Sequence, residues 1–485
     1  AVCKLLPEDS VLIEFVRIPI CNFKAVLTRA ETRWMPDHYL AFILLSGKAD
    51  NVQIIDLGEA DVIDQKIANA RLAITGEREV PAKTKPNSLE FLHDQASLPD
   101  KAEKAIERHV RPMSNQPDEK AYLREGSALR EAVFEPLVAV FNGRTRLFLA
   151  PDGDLARLPF EVLPDNDGRS LIEDYHISYL STGRDVLRFE ATSMNQPSAP
   201  LVMADPDFDL RSEALAALEN GEMDNVAERR SRDLDRGAFH FRRLAGTRVE
   251  GIQIANQLGV SPLLEQAATT AAIKTCRSPR VLHIATHGFF LPVRRRVPRT
   301  DYFDMVHILE IPGYGSYILD KKLAFDEDHI ENEVEWLVGV ENPLLRSGLA
   351  LAGANTRQKG KGLPCKAGDG ILTAEEVSGL DLLSTELVVL SACETALGEV
   401  QVGEGVFGLR RTFMIAGARR LVISLWKVPD QQTQELMVDF YRHLLEGHPC
   451  VDALQEAQQA MRAKYPHPRD WGAFILQGDP GPLTR

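Results

Sequence analysis

The feature that most constrains how this chain folds is a series of short apolar runs that begins near residue 145 and recurs towards the C-terminus. They are "RLFLA" at 146, "LVMA" at 201, "VLHIA" at 281, "GLALA" at 348, "LVVLS" at 387 and "LVISL" at 421. Each has the length of a strand and lacks the polar alternation of a half-solvated one, so both faces must be covered. Strands of that kind, separated by helical segments, predict an α/β fold with a mostly parallel sheet flanked by helices. The intervening helices are legible. One runs from Thr247 to Leu258, and Val406, Leu409 and Phe413 with Phe407 and Met414 predict a second that ends at Gly417. Asp430 is placed to cap a third, which buries Leu436, Phe440, Tyr441 and Leu444. A last helix carries Val451, Leu454, Ala457 and Met461.

The first 120 residues read differently. "VLIEFVRI", "FKAVLT", "HYLAFILLS" and "NVQIIDL" predict a small antiparallel meander. Helical spacing follows over 59–75, 100–112 and 118–140, with Pro136 expected to kink or split the last of these. We therefore expect an N-terminal strand-and-helix region over 1–120 and a larger α/β domain over 121–485. Within the latter, 209–243 and 291–342 are rich in charge and predict long surface loops.

The formal net charge of -14 repels phosphate backbones and anionic membranes, so nucleic acid and membrane are not expected partners. No apolar run approaches the ~20 residues of a bilayer span, and no secretion signal opens the chain, which predicts a cytoplasmic protein. The start at Ala1-Val2 rather than Met leads us to expect a longer parent sequence. Six cysteines without a CxxC pair suggest neither a zinc ribbon nor a disulfide scaffold, and no calcium loop is present. We expect no metal and no cofactor.

In an open parallel sheet, reactive groups gather at the carboxyl ends of strands. "VLHIATHGFF" ends one such strand with His287-Gly288, and "LVVLSACETALG" ends another with Cys393. A thiolate beside an imidazole suits acyl transfer: sulfur attacks a carbonyl and the imidazole handles the proton. The N–H groups of Gly288 and Cys393 are candidates to hold the oxyanion. Spacing alone leaves a second reading open, in which Cys393 is a buried core thiol and His287 a hydrogen-bonded structural residue. His283, on the same strand face as His287, reads as a packed neighbour. Trp426, at the end of "LVISLW", is either the wall of a substrate pocket or core.

The segments "VLHIATHGFF", "ENPLLRSGLALAG", "DGILTAEEV", "ELVVLSACETALGEVQVGEGVFGLRRTFMIAGARRLVISLWKVPD" and "WGAFILQGD" occur in an order that resembles the CHAT family. That family is a bacterial branch of the caspase-like cysteine peptidases, often fused to tetratricopeptide repeats. "RLFLAPDGDLARLPFEVLP" and "LVMADPDF" extend the resemblance to about residues 121–480. It implies a caspase-like sheet and a catalytic dyad of His287 and Cys393. The implied activity is cleavage of a protein or peptide partner, regulated by an upstream sensor or repeat region in bacterial defence or cell death. In some relatives an acid at the position of Asp205 receives a basic side chain before the scissile bond; the other reading of Asp205 is a turn residue before Pro206. Glu404 is either a first-turn helix residue or a pocket acid. Two rivals remain: a catalytically silent scaffold or binding module, and an esterase or thioesterase on the same dyad. The α/β-hydrolase form of the latter lacks its GxSxG elbow.

Overall fold

The apolar runs are the central strands of the fold. The computed structural model of the chain describes residues 2–23, 34–48, 51–76, 118–191, 195–210, 240–290, 306–311, 315–320, 342–358, 368–392, 399–401 and 405–484. Its strands are β1 Ser10–Cys21, β2 Trp34–Leu45, β3 Gln53–Glu59, β4 Arg146–Ala150, β5 His176–Tyr179, β6 Leu201–Pro206, β7 Leu263–Glu265 and β8 Val281–Phe290. They continue as β9 Val306–Ile311, β10 Gly315–Asp320, β11 Ser347–Ala350, β12 Ile371–Thr373, β13 Leu387–Ala392, β14 Glu399–Gln401, β15 Gly405–Phe407, β16 Arg420–Ser424 and β17 Phe474–Gly478. β9 pairs with β10 and β14 with β15; the other thirteen form one sheet. Its order is β12-β11-β8-β13-β16-β17-β5-β4-β1-β2-β3, with β6 paired to both β8 and β7.

Most of these pairings are parallel, as expected: β6 with β8, β8 with β13, β13 with β16, and β4 with both β5 and β1. The "GLALA" run departs from this pattern, because β11 is antiparallel to both β8 and β12. An apolar run reports burial on two faces and not the direction of its neighbour. The N-terminal meander β1–β3 is antiparallel as expected, and it continues the same sheet through β1 and β4. Val11, Ile13 and Phe15 accordingly share one buried core with Leu390, Ile423 and Ile475.

Among the described residues, the helices of seven residues or more are α1 Ala60–Thr75, α2 Glu119–Val133, α3 Ala245–Leu258, α4 Leu409–Ile415, α5 Asp430–Leu445 and α6 Cys450–Lys464. The segment 118–140 is split, with Glu135–Val138 a separate turn that holds Pro136 near its start, where the missing N–H costs least. α4 begins at Leu409 and not near 406, since 405–407 belong to β15. Asp430 is the first residue of α5 and makes no side-chain cap; its charge favours the helix through the dipole instead. α3 ends as the sequence suggests, on Gly259 at φ 69°, whose N–H reaches the carbonyls of Ala255 and Asn256. The strand "FKAVLT" beyond Phe23, the helix 100–112, Glu404 and most of both charged loops lie outside the described residues, and within 291–342, expected as loop, 306–311 and 315–320 form the antiparallel β9–β10 pair.

α3 is pressed against β6 at Gly251, where a Cβ would stand 2.4 Å from that of Ala204. Gly251→Val is therefore expected to destabilise the fold by about 1–3 kcal/mol through overpacking, seen as a lower urea midpoint. At the start of β16, Arg420 is 2% exposed; its Nε donates to the Asp479 carbonyl at 3.0 Å and its Nη2 lies 3.1 Å from the Asp479 carboxylate. Glu386 approaches the same guanidinium at 4.0 Å.

Candidate active site at the carboxyl edge of the sheet

β8 changes partners along its length, and His287 sits where the change occurs. From Leu282 to Ala285 it pairs in parallel with Leu201–Ala204 of β6, and from His287 to Phe290 it pairs antiparallel with β11, where His287 faces Ala350. On its other side it runs parallel to β13, in a register that sets Ala285 against Ser391 and Thr286 against Ala392. In an open α/β sheet the crevice that holds a site usually lies where neighbouring strands diverge in this way. Cys393 follows Ala392 directly but lies outside the described residues.

The His287 ring is packed between Phe208 and Phe241, at centroid separations of 5.4 and 5.7 Å. Its Nε2 lies 2.6 Å from the Arg242 carbonyl oxygen. A carbonyl only accepts, so Nε2 carries the proton and the basic lone pair is on Nδ1. Burial holds this imidazole below its ordinary pKa and the nearby Lys427 pushes the same way, against the Arg242 hydrogen bond and Asp430. The ring is thus poised in its neutral form at pH 7.

The covering segment is anchored on both sides. Phe241 N–H donates to Asn355 Oδ1, and the Asn355 amide returns a bond to the Phe241 carbonyl, both at 2.9 Å. Arg243 forms a two-pronged pair with Asp205, at 2.6 Å for each prong, and reaches Glu265 at 2.7 Å; Arg248 reaches the same two acids. Asp205 is buried and adopts φ 49°, a left-handed conformation that closes β6 against a shift in register with β7. Its carboxylate is therefore occupied by the chain's own arginines. Phe241→Ala with Arg243→Ala is expected to raise carbethoxylation of His287 by diethyl pyrocarbonate severalfold, read by peptide mass mapping.

Beside this crevice is a cavity lined by Ser391 and Ala392 of β13, Trp426 and Val428 after β16, Leu244, and Thr247 and Glu250 of α3. Trp426 is 2% exposed, with its indole N–H on the Arg469 carbonyl at 3.0 Å, so it is a rigid wall as well as core. Ser391 Oγ is buried without a hydrogen-bond partner among the described residues. Asp205 is not among the lining residues, and Glu250, Thr247 and Arg243 are features that no periodicity announces. His283 is a packed neighbour, wholly buried between Glu250 at 3.2 Å and the Tyr441 hydroxyl at 3.3 Å. Gly288 lies in the β8–β11 ladder opposite Leu349.

The chain is thus an α/β protein with a mostly parallel sheet, carrying a histidine where its strands diverge. A model of the CHAT domain matches residues 123–479, and the chain belongs to that family. A stretch of 111 residues is 37% identical to tetratricopeptide repeat protein 28 of Mus musculus, covering 22% of this chain and 4% of that protein. The Homo sapiens protein of the same name matches at 36% over 110 residues, with the same shares. The chain thus spans only a small part of the length of these relatives. Among solved structures it is similar to the Arg-specific cysteine proteinase gingipain R, at 11% identity and a TM-score of 0.37, over 76% of this chain and 69% of that one. It is also similar to the Saccharomyces cerevisiae separase–securin complex, at 10% identity and a TM-score of 0.42, over 99% of this chain and 30% of that one. Among the described residues, no helix is long and apolar enough to cross a membrane.

Proposed function

We propose that this chain is a cysteine endopeptidase of caspase-like type that cleaves a protein partner through Cys393 and His287. The observation that carries the reading is the β8–β13 register, which sets Ala392 opposite Thr286, the residues that immediately precede the thiol and the imidazole. The neutral imidazole takes the thiol proton, and sulfur adds to the scissile carbonyl. The C–N bond then breaks as the imidazolium returns its proton to the leaving amine, and water hydrolyses the thioester to release the acid and restore the thiol. The N–H groups of Gly288 and Cys393 are the proposed oxyanion donors. The side chain before the scissile bond would enter beside Trp426, with Asp205 available to a basic one once Arg243 and Arg248 leave it.

The substrate is a protein or peptide, and an upstream tetratricopeptide-repeat region or a regulatory protein would present it, in bacterial defence or regulated cell death. The chemistry calls for neither metal nor cofactor, and the proposed compartment is the cytoplasm. The contact of Arg242 with His287 favours one second reading, a catalytically silent scaffold whose site is permanently filled. Incubation with a peptide-library pool and with ester analogues separates the possibilities. Thiol-dependent cleavage of peptides supports the endopeptidase, and ester turnover alone would replace it with an esterase. Silence towards both substrates, together with no reaction of Cys393 with a peptide electrophile even in the Phe241→Ala/Arg243→Ala variant, would leave the scaffold.

A further inference from the structure

Far along the chain from that site, the turn between α5 and α6 gathers two imidazoles and several carboxylates. His443 lies in the last turn of α5, Glu446 follows as its C-cap, His448 stands in the connection and Glu456 in the second turn of α6. The Nδ1 atoms of His443 and His448 converge on one oxygen, Glu456 Oε2, at 2.8 and 2.9 Å. The two rings are 5.4 Å apart, and Glu446 Oε2 is 3.6 Å from His443 Nδ1. One ligand-type atom from each of His443, Glu446 and His448 lies within 4.8 Å of the others.

Two ring nitrogens on one carboxylate oxygen are an economical arrangement only if both N–H groups point at it. That of His443 does not: its Nδ1 is buried and, among the described residues, makes no well-directed hydrogen bond despite the 2.8 Å separation. A metal binds along the same in-plane direction as that proton. A cation about 2.1 Å from both Nδ1 and Oε2 would sit off the line between them and subtend roughly a right angle, which a small opening of the side chains widens towards tetrahedral. The outer groups fit as well. Asp439 lies 3.6 Å from His443 Nε2, where it can take that N–H once Nδ1 is a ligand. The Arg442 guanidinium now bridges Asp439 and Glu446 and touches His443 Nε2 at 2.7 Å. It stands in for the positive charge and must swing aside when a cation binds.

We propose that His443, Glu446 and His448, with the adjacent Glu456 that touches both rings, form a binding site for a divalent cation of the zinc class, since paired imidazoles and carboxylates suit such a borderline ion. The site is independent of the Cys393–His287 reading and clamps the hairpin of the two C-terminal helices. The test is titration of the chelator-treated full chain with CoCl2, followed by ZnCl2. One Co2+ per chain is expected, giving ligand-field absorption without a thiolate charge-transfer band, displaced by Zn2+ and accompanied by a rise in Tm. His448→Ala and Glu456→Gln, both at partly exposed side chains, are expected to bind about tenfold or more weakly and to lose the Zn2+-induced rise in Tm. Undiminished binding in both variants, a thiolate band, or no binding by the wild type would each overturn the assignment.

Discussion

Replacing Cys393 or His287 by alanine is expected to lower kcat/KM for peptide hydrolysis by at least about 10³-fold. The size follows from what each group does. Without sulfur no acyl-enzyme forms, and without the imidazole the thiol stays protonated near neutral pH while the leaving amine has no proton donor. The two losses should not add, because each removes the same covalent step, so the double variant should be about as slow as either single one. Folding should survive: His287 is flanked by two phenylalanines at the sheet edge and anchors no ladder through its side chain. A urea midpoint within the error of wild type, measured beside the rate, separates a chemical effect from a collapsed fold. The pH profile adds an independent check. Because burial depresses the His287 pKa, the imidazole remains a base below the ordinary histidine range, and the acid limb of kcat/KM should be displaced to lower pH. An acid limb above about 6.5 would contradict the neutral, buried ring.

The largest loss of stability is expected from Arg420→Met, about 3–5 kcal/mol. The guanidinium is buried with Asp479 and close to Glu386, both themselves about nine-tenths buried. Removing it takes the buried partner from Asp479, which keeps only the more exposed Arg419, while Glu386 retains Arg280 and Thr484; the cost is that of under-compensated buried charge more than of a lost bond. The pair joins the first residue of β16 to the residue after β17, so the damage falls on the centre of the sheet. Thermal or urea unfolding gives the magnitude. If charge is the cause, adding Asp479→Asn to Arg420→Met should recover part of the loss, whereas a cavity would make the double variant worse. Arg419 also holds the Asp479 carboxylate, which limits how much is recovered.

Much of this architecture is written in the sequence as burial. The runs at 146, 201, 281, 387 and 421 are strands of the sheet because nothing but a doubly covered strand keeps so many apolar side chains dry at that length. The same signal cannot report direction, which is why "GLALA" looks like its parallel neighbours and is antiparallel to them. It also passes over strands whose composition is mixed, such as β5 with His176 and Ser178, or very short, such as β12. At 405–407 the apolar residues fit helical spacing but pair with β14, a case in which local period yields to tertiary partners. His287 is legible from the order of the quoted motifs and not from its strand, which is expected to end at His287-Gly288 and instead runs on to Phe290 against β11. The contacts that cover it are not. Phe241, Arg242 and Arg243 come from irregular chain with no repeat, and only the fold brings them to His287 and Asp205. The helix 450–464 can be read from Val451, Leu454, Ala457 and Met461, whereas the imidazoles and carboxylates at its start occupy the outward positions that a search for core residues skips.

The imidazole and what overlies it are held by different kinds of bond. His287 rides on a strand knitted into neighbours along both edges, and shifting it would mean unzipping the middle of the protein. The stretch from Phe241 to Arg243 is tied down through side chains: Asn355, Asp205, Glu265, His287 itself and a nest of rings. In amide exchange the two should therefore separate, with Leu282–Ile284 exchanging only when the whole molecule opens and the amide of Phe241 exchanging through local excursions. Whatever uncovers this histidine needs to outcompete a handful of pairings and can leave the sheet undisturbed.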